Sequence, residues 1–357
     1  MARTRFSGWG SFFGKRRVWS CALCLAVLIG LVVTPGRDAE AADDIAAFYK
    51  GKRMTLVIGG GAGGTYDVHG RLVARHLGRG IPGSPGFIVQ NMPGASSVKA
   101  ANYVYGVAPQ DGTVIGNLLN TLPLAAALKQ MKIQADITNL HWIGNLAEQS
   151  QILVVWHTSP VKTVEDARKT EVLMGATSYG ALSGMLPKLI NHVLDTKFKV
   201  VTGYTFPAIG LAMARGEVQG QAGIAWIANG KYADRLRAGK LRVIMQIGFS
   251  KAPELPDVPI FRDLVGAGQT RDLADLFSSP ALIGNPSVAG PKVPQNRVAA
   301  LRQAYQDTMK DAKFLADAKK LGIAIRPVSG SDLEALIKRI INTPPALVQR
   351  AKAAVAK

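Results

Sequence analysis

Cysteine is almost absent from this chain of 357 residues: Cys21 and Cys24 are the only two, and both lie in an apolar N-terminal stretch. For the rest of the chain this excludes disulfides, thiolate nucleophiles and cysteine-ligated metals. Neither cysteine follows the apolar stretch, where a lipid-attachment cysteine belongs, so no lipid anchor is expected. Histidine is scarce and scattered, at positions 69, 76, 141, 157 and 192. His69 and His76 fall on one helical pattern but two turns apart, too far to share a metal ion. Acids are outnumbered, with 24 Asp and Glu against 43 Lys and Arg, a formal charge of +19. The bases form no run and no RNA-binding motif, so nucleic acid is not an expected partner. A diffuse positive field attracts small anions instead. No fixed-period repeat or low-complexity segment occurs, and only one hydrophobic run is long.

That run defines the compartment. Arg3, Arg5, Lys15, Arg16 and Arg17 precede the apolar segment Val18 to Val33, which is followed by the breaker Thr34-Pro35-Gly36 and by Ala39-Glu40-Ala41. The order is that of a secretory signal peptide over residues 1–41, cleaved after Ala41. The run is short for a membrane span, which takes about 20 residues. Arg16-Arg17 leaves general and twin-arginine export both open. The expected location is the periplasm. The first 41 residues hold six Lys and Arg and two Asp and Glu, so removing them lowers the charge from +19 to +15.

Downstream, short β-rich apolar runs alternate with helical periodicity. Residues 54–58, 87–91 and 113–117 read as strands, with helices over 68–77 and 97–107. A second set follows: strands over 151–156, 171–176, 199–202, 222–226 and 241–249, and helices over 164–169, 182–194 and 209–215. The tail reads as helix over 295–321, broken near Asp311, and over 331–341, where Thr343-Pro344-Pro345 interrupts it. A late strand is expected over 281–284. Two βαβ sets of this kind imply an α/β protein with mostly parallel sheets in two lobes. The expected division is 42–148 for the first lobe, 149–246 for the second, and 247–357 for a return to the first.

The richest segment is Gly59-Gly60-Gly61-Ala62-Gly63-Gly64-Thr65-Tyr66-Asp67, between a strand and a helix. Five glycines in six residues are costly to order unless something must approach the backbone. A helix N-terminus then offers unpaired N–H groups to an anion. Gly59, Gly61 and Gly64 also satisfy the dinucleotide spacing G-x-G-x-x-G. Against it, the next strand ends in Gln90-Asn91 and offers no acid for a ribose, and Asp67 would oppose a pyrophosphate. The segment Asn91 to Ser97 is a second strand-to-helix turn, and Ala176 to Gly184 a third, in the other set. Together they can clamp a carboxylate between helix N-termini. Ser96 or Ser97 can equally be a plain N-cap. No nucleophile elbow is present, since Gly180 to Gly184 is not G-x-S-x-G, and Glu217 has no carboxylate partner for acid–base work. Trp142, Trp156 and Trp226 read as core.

These residues carry a resemblance. Thr55 to Ile58 with the glycine loop ending in Asp67, Val89 to Ala95, Ala108-Pro109-Gln110-Asp111-Gly112, Ala238 to Arg242 and Leu255-Pro256-Asp257-Val258-Pro259 resemble, in order and spacing, the receptors of tripartite tricarboxylate transporters (the Bug/TctC-type periplasmic solute-binding proteins). The likeness runs from about Thr55 to Ile341. It implies a type II periplasmic-binding (Venus flytrap) fold with mixed, mostly parallel sheets, and a non-enzymatic receptor that takes a small carboxylate through backbone amides, hydroxyls and bridging water. It further implies membrane transport subunits as partners, a monomer, and no cofactor. The matching ligand elements are Gly61, Ala62, Gly63, Gly64, Thr65, Tyr66 and Asp67; Ala95 and Ser96; Asn120; Thr177, Ser178, Tyr179 and Ser183; and Tyr204. The chain departs from the family where Gly59 and Gly60 replace a usual Pro and Phe, and where Gly184 replaces a common His. The stretches 203–207 and 215–217 point to a divergent branch. Alternatives are an exported hydrolase or lyase using a cleft acid, and a sensory partner of a membrane signalling protein. Asp67 places negative charge beside an anion. It can cap its loop, orient a water, or receive an amine or hydroxyl.

Overall fold

The computed structural model describes residues 44–226 and 231–356. The signal-peptide assignment therefore lies outside the described residues. After α1 (residues 44–49), the chain forms β1 (Arg53–Ile58), α2 (Thr65–Gly80), β2 (Gly86–Asn91), α3 (Val98–Gly106), β3 (Val114–Asn117), α4 (Leu122–Ala127) and β4 (His141–Asn145). It then builds β5 (Gln151–Trp156), α5 (Val164–Lys169), β6 (Val172–Gly175), α6 (Leu182–Leu194), β7 (Phe198–Val201), α7 (Phe206–Arg215), β8 (Gly220–Ala225), α8 (Lys231–Arg237) and β9 (Leu241–Ile247). The remainder gives α9 (Gln269–Ser278), α10 (Pro280–Ile283), β10 (Pro286–Ala289), α11 (Gln295–Thr308), α12 (Ala312–Lys320), β11 (Val328–Ser329), α13 (Gly330–Ile341) and α14 (Pro345–Ala354).

Two sheets result, ordered β11-β4-β10-β3-β1-β2 and β7-β6-β8-β5-β9. In the first, β1 pairs in parallel with β2 and β3, while β10 runs antiparallel between β3 and β4. In the second, β6 pairs in parallel with β7 and β8, and β5 runs antiparallel between β8 and β9. β5 and β10, each antiparallel to both its neighbours, re-enter a sheet from the other lobe, and β11 adds a further antiparallel edge beside β4. Each strand sorts its side chains with period two: Met54, Leu56 and Ile58 enter one cluster and Val57 the opposite one. Likewise Leu153 and Val155 face one side of the second sheet, and Ile152, Val154 and Trp156 the other.

The late strand expected over 281–284 is instead the helical turn α10. Pro280 sits in its first turn, where a missing N–H costs nothing, and the strand begins only at Pro286. Thr343-Pro344-Pro345 interrupts the tail helix as expected, between α13 and α14, and Pro345 starts the latter. The segment 247–357, expected in the first lobe, is shared. Tyr305, Phe314 and Ile323 pack with the first sheet, but Phe261, Leu273, Phe277, Val348 and Ala351 join the cluster of the second. The chain therefore crosses between lobes at 146–150, again on the approach to β10, and a third time between α13 and α14.

An amide web fixes the first two crossings to the first sheet. Asn145 Nδ2 donates to Ala147 O at 2.9 Å, and its Oδ1 accepts from Asn285 N at 2.7 Å. Asn117 Nδ2 donates to Asn285 Oδ1 at 2.6 Å. Asn117, Asn145 and Asn285 are all buried, where an unpaired amide would cost about 1–3 kcal/mol.

Candidate functional site

Because β4 and β9 end at the crossings and β5 and β10 begin there, the carboxyl edges of both sheets face the junction of the lobes. Ligands of open α/β sheets bind outside such edges. The glycine loop after β1, the 92–97 turn after β2 and Asn120 after β3 come from the first lobe. The 176–183 loop after β6 comes from the second.

The glycine loop is held by Asp67, which is 5% exposed. One carboxylate oxygen accepts from Gly63 N at 2.9 Å; the other accepts from Arg71 Nε and from Asn91 Nδ2, both at 2.9 Å. Asn91 Nδ2 also donates to Gly60 O at 3.0 Å, and Arg71 Nη2 donates to Asn91 Oδ1 at 3.1 Å. Burial raises the Asp67 pKa, but bonds from Arg71, Gly63 and Asn91 outweigh it and hold the carboxyl below its usual range. Of the roles open to Asp67, the geometry fills that of loop holder: its negative charge is neutralised inside the protein. The N–H of Gly63 goes to Asp67 and that of Gly64 to Gly61 O. Thr65, Tyr66 and Asp67 occupy the first turn of α2, where a helix offers its N–H groups no acceptor. The N-cap, Gly64, has no side chain to supply one. Side-chain carbons added at Gly61 or Gly63 would meet no atom within 4 Å.

Gly59 has a different reason to be glycine: a side-chain carbon there would overlap Ser97 Oγ. Ala95, Ser96 and Ser97 all adopt left-handed backbone, with φ of 45°, 52° and 78°. Each costs a non-glycine residue roughly 1–2 kcal/mol. Ser97 precedes α3 yet its hydroxyl caps nothing, and it is buried without a partner. It is not the plain N-cap that its position allows.

In the second lobe, Thr177 N donates to Ser183 Oγ at 3.2 Å, and Ala181 N to Ser178 Oγ at 3.1 Å. Gly184 is where the loop folds over its helix, since any side chain there would overlap Ser178 O. That accounts for the missing His. Tyr179 and Tyr204 each have a partner within the protein. The ring of Tyr179 lies under Lys188 Nζ, 4.6 Å away, along α6. Tyr204 donates to Glu217 Oε2 at 3.3 Å, beyond the C-terminus of α7. Tyr66 and Asn120 bond to each other and to the second crossing, through contacts described below. Sequence reasoning placed Asn91 and Ser97 in the second turn without foreseeing their partners, and passed over Arg71. Arg71 was within reach of it, lying one turn after Asp67 on the same helix face.

A cleft of about 100 Å³ bordered by His69, Trp226 and Phe249 lies at the crossings. None of the loop residues above lines it. No group of three metal-ligating side chains occurs among the described residues.

Two lobes with paired strand-to-helix loops at their junction define a solute-binding protein. The profile of the "Tripartite tricarboxylate transporter family receptor" matches residues 73–352, and the chain belongs to that family, which makes it a receptor for a solute and not an enzyme. The match begins inside α2, past the glycine loop. A relative, the "UPF0065 protein in gbd 5'region" of Cupriavidus necator, is 28% identical over 290 residues, 78% of this chain and 83% of its own. Among solved structures, the periplasmic binding protein BugD superposes with a TM-score of 0.65 at 18% identity, covering 86% of this chain and 98% of its own. MatC from Rhodopseudomonas palustris with bound malate gives 0.63 at 20%, covering 85% and 99%. These likenesses support the two-lobed periplasmic-binding fold.

Proposed function

We propose that this chain is a periplasmic receptor that captures a small carboxylate between its lobes and delivers it to the membrane subunits of a tripartite transporter. The observation that carries this reading is the first turn of α2. The N–H groups of Thr65, Tyr66 and Asp67 lie in the first helical turn, where the helix offers them no acceptor, and the nearby Asp67 carboxylate is paired with Arg71 and hydrogen-bonded by Gly63 and Asn91. An oxyanion is the species such a turn accepts. On this reading Ser183 and Thr177 of the second lobe, and Ser96 of the first, supply hydroxyl donors to the ligand. Since the Asp67 carboxylate is already paired with Arg71, the reading favours simple carboxylates over amino acids. The malate bound to MatC is of this class.

Export rests on the sequence: the mature receptor starts near Ala42, is free of the membrane, and acts as a monomer. Fractionation that recovered a full-length cytoplasmic protein would overturn this. The ligand is tested by thermal shift against acetate, benzoate, succinate, malate, adipate, citrate and glutamate, with calorimetry on any that stabilise. Binding of a carboxylate without an amine supports the reading, whereas stabilisation by none of the panel refutes it.

A further inference from the structure

We propose that Tyr66 is a positioning residue that couples the ligand turn to the interlobe crossings, so that its hydroxyl sets the lobe angle at which ligand is held. The inference rests on the receptor reading and goes beyond it. Tyr66 lies in the first turn of α2, and its own N–H is one of the three available to an anion. Its side chain runs the other way. The hydroxyl donates to Gly284 O at 3.0 Å and accepts from Asn120 N at 3.0 Å. Asn120 in turn donates from Nδ2 to Pro280 O at 2.9 Å. Two loops of the binding face are thus bonded to the second crossing by buried and half-buried contacts.

The crossing end of this link is rigid. Gly284 has φ of 50° and ψ of −102°, a conformation that side chains rarely adopt. A carbon added there would overlap Ala147 O, so Gly284 is wedged against the first crossing. Ala147 O also accepts from Asn145, within the amide web. A shift of the first turn of α2 on binding an anion is therefore transmitted by Tyr66 to Gly284 and from there to Ala147. The bonds of Asn117, Asn145 and Asn285 tie the crossings to the first sheet; Tyr66 and Asn120 tie them to the binding loops. Hinges are a few such positions at element ends.

Tyr66→Phe keeps the ring and removes both hydroxyl bonds. Tyr49→Phe is the control: Tyr49 is buried and donates to Gly112 O at 3.1 Å, away from the crossings. Both variants should lower the melting temperature to a similar extent. Calorimetry and small-angle scattering with the panel acid that wild type binds most tightly separate them. Tyr66→Phe should weaken affinity about tenfold or more and change the scattering radius of the ligand-free protein, while Tyr49→Phe leaves both as in wild type. Wild-type affinity and radius in Tyr66→Phe would overturn the coupling and leave the receptor reading standing. A wild-type protein that binds no acid of the panel overturns both.

Discussion

Acidifying the protein should weaken its fold through His69, over a pH range that no other group assigned a shifted pKa shares. His69 is 4% exposed on α2, and its Nδ1 has no hydrogen-bond partner. Burial pushes its pKa down to about 4 from 6.5. In the unfolded chain the ring titrates near 6.5, so between pH 6.5 and 4 the unfolded state takes up a proton that the folded state refuses. Stability is complete above that window and declines as pH falls through it. A gap of about 2.5 units, at about 1.4 kcal/mol per unit, gives a loss on the order of 3 kcal/mol by pH 4. Native stabilities are only about 5–15 kcal/mol, so the effect is large. The aspartates with depressed pKa values, Asp67 among them, retain their contributions above about pH 4 and lose them lower down. Urea unfolding of wild type and His69→Leu at pH 7, 6, 5 and 4.5 measures this. The wild-type free energy should fall toward that of the variant, or further below it, by about 2–3 kcal/mol across the series. A difference that stays constant with pH would mean that His69 is not buried neutral.

Three further outcomes follow from the loops. Gly61→Val adds a branched side chain into open space at an ordinary backbone angle, so ligand affinity should fall at least tenfold with little change in melting temperature; Gly63→Val, at φ of +73°, should lower both, and wild-type affinity in Gly61→Val would move the ligand away from this loop. Ser183→Ala leaves Thr177 N–H without its acceptor and should cost about 1–3 kcal/mol of stability along with ligand affinity, read by urea unfolding and calorimetry, and no change in either would refute the hydroxyl's role. Gly59→Ala should destabilise strongly through overlap with Ser97 Oγ, and Ser97→Gly should rescue much of that loss, giving a coupling above about 1 kcal/mol in a double-mutant cycle; additive effects would deny the contact.

Much of the fold was legible because periodicity is local. Leu182 to Leu194 carries its apolar face with helical spacing, and α6 has those bounds. The runs 54–58 and 151–156 alternate between two clusters, as strands buried on both faces do. The misses have physical causes. Residues 281–283 are apolar enough for a strand, and only Pro280 hints that the chain turns helically there. His141 to Asn145 mixes polar residues with glycine, yet becomes β4 because β10 and β11 pair on both sides of it. α9 and α14 join the second lobe through contacts between positions such as Leu273 and Val348, a pairing that no local pattern announces.

The binding loops were legible as loops, and their chemistry less so. Composition placed Asp67 next to an expected anion and could not say what it does, because its partner Asn91 is 24 residues away on another strand. Once Arg71, Asn91 and Gly63 surround that carboxylate, its sign ceases to oppose a ligand, and the partial positive charge of the α2 N-terminus remains. The same reasoning explains why three serine and alanine positions can sit in left-handed backbone at 95–97. Their strain brings Ser97 against Gly59 and fastens the second turn to the first, so that the arrangement of the glycine loop is set by contacts behind it. On the receptor reading proposed above, the ligand's identity is then encoded chiefly in the shape left between the two lobes.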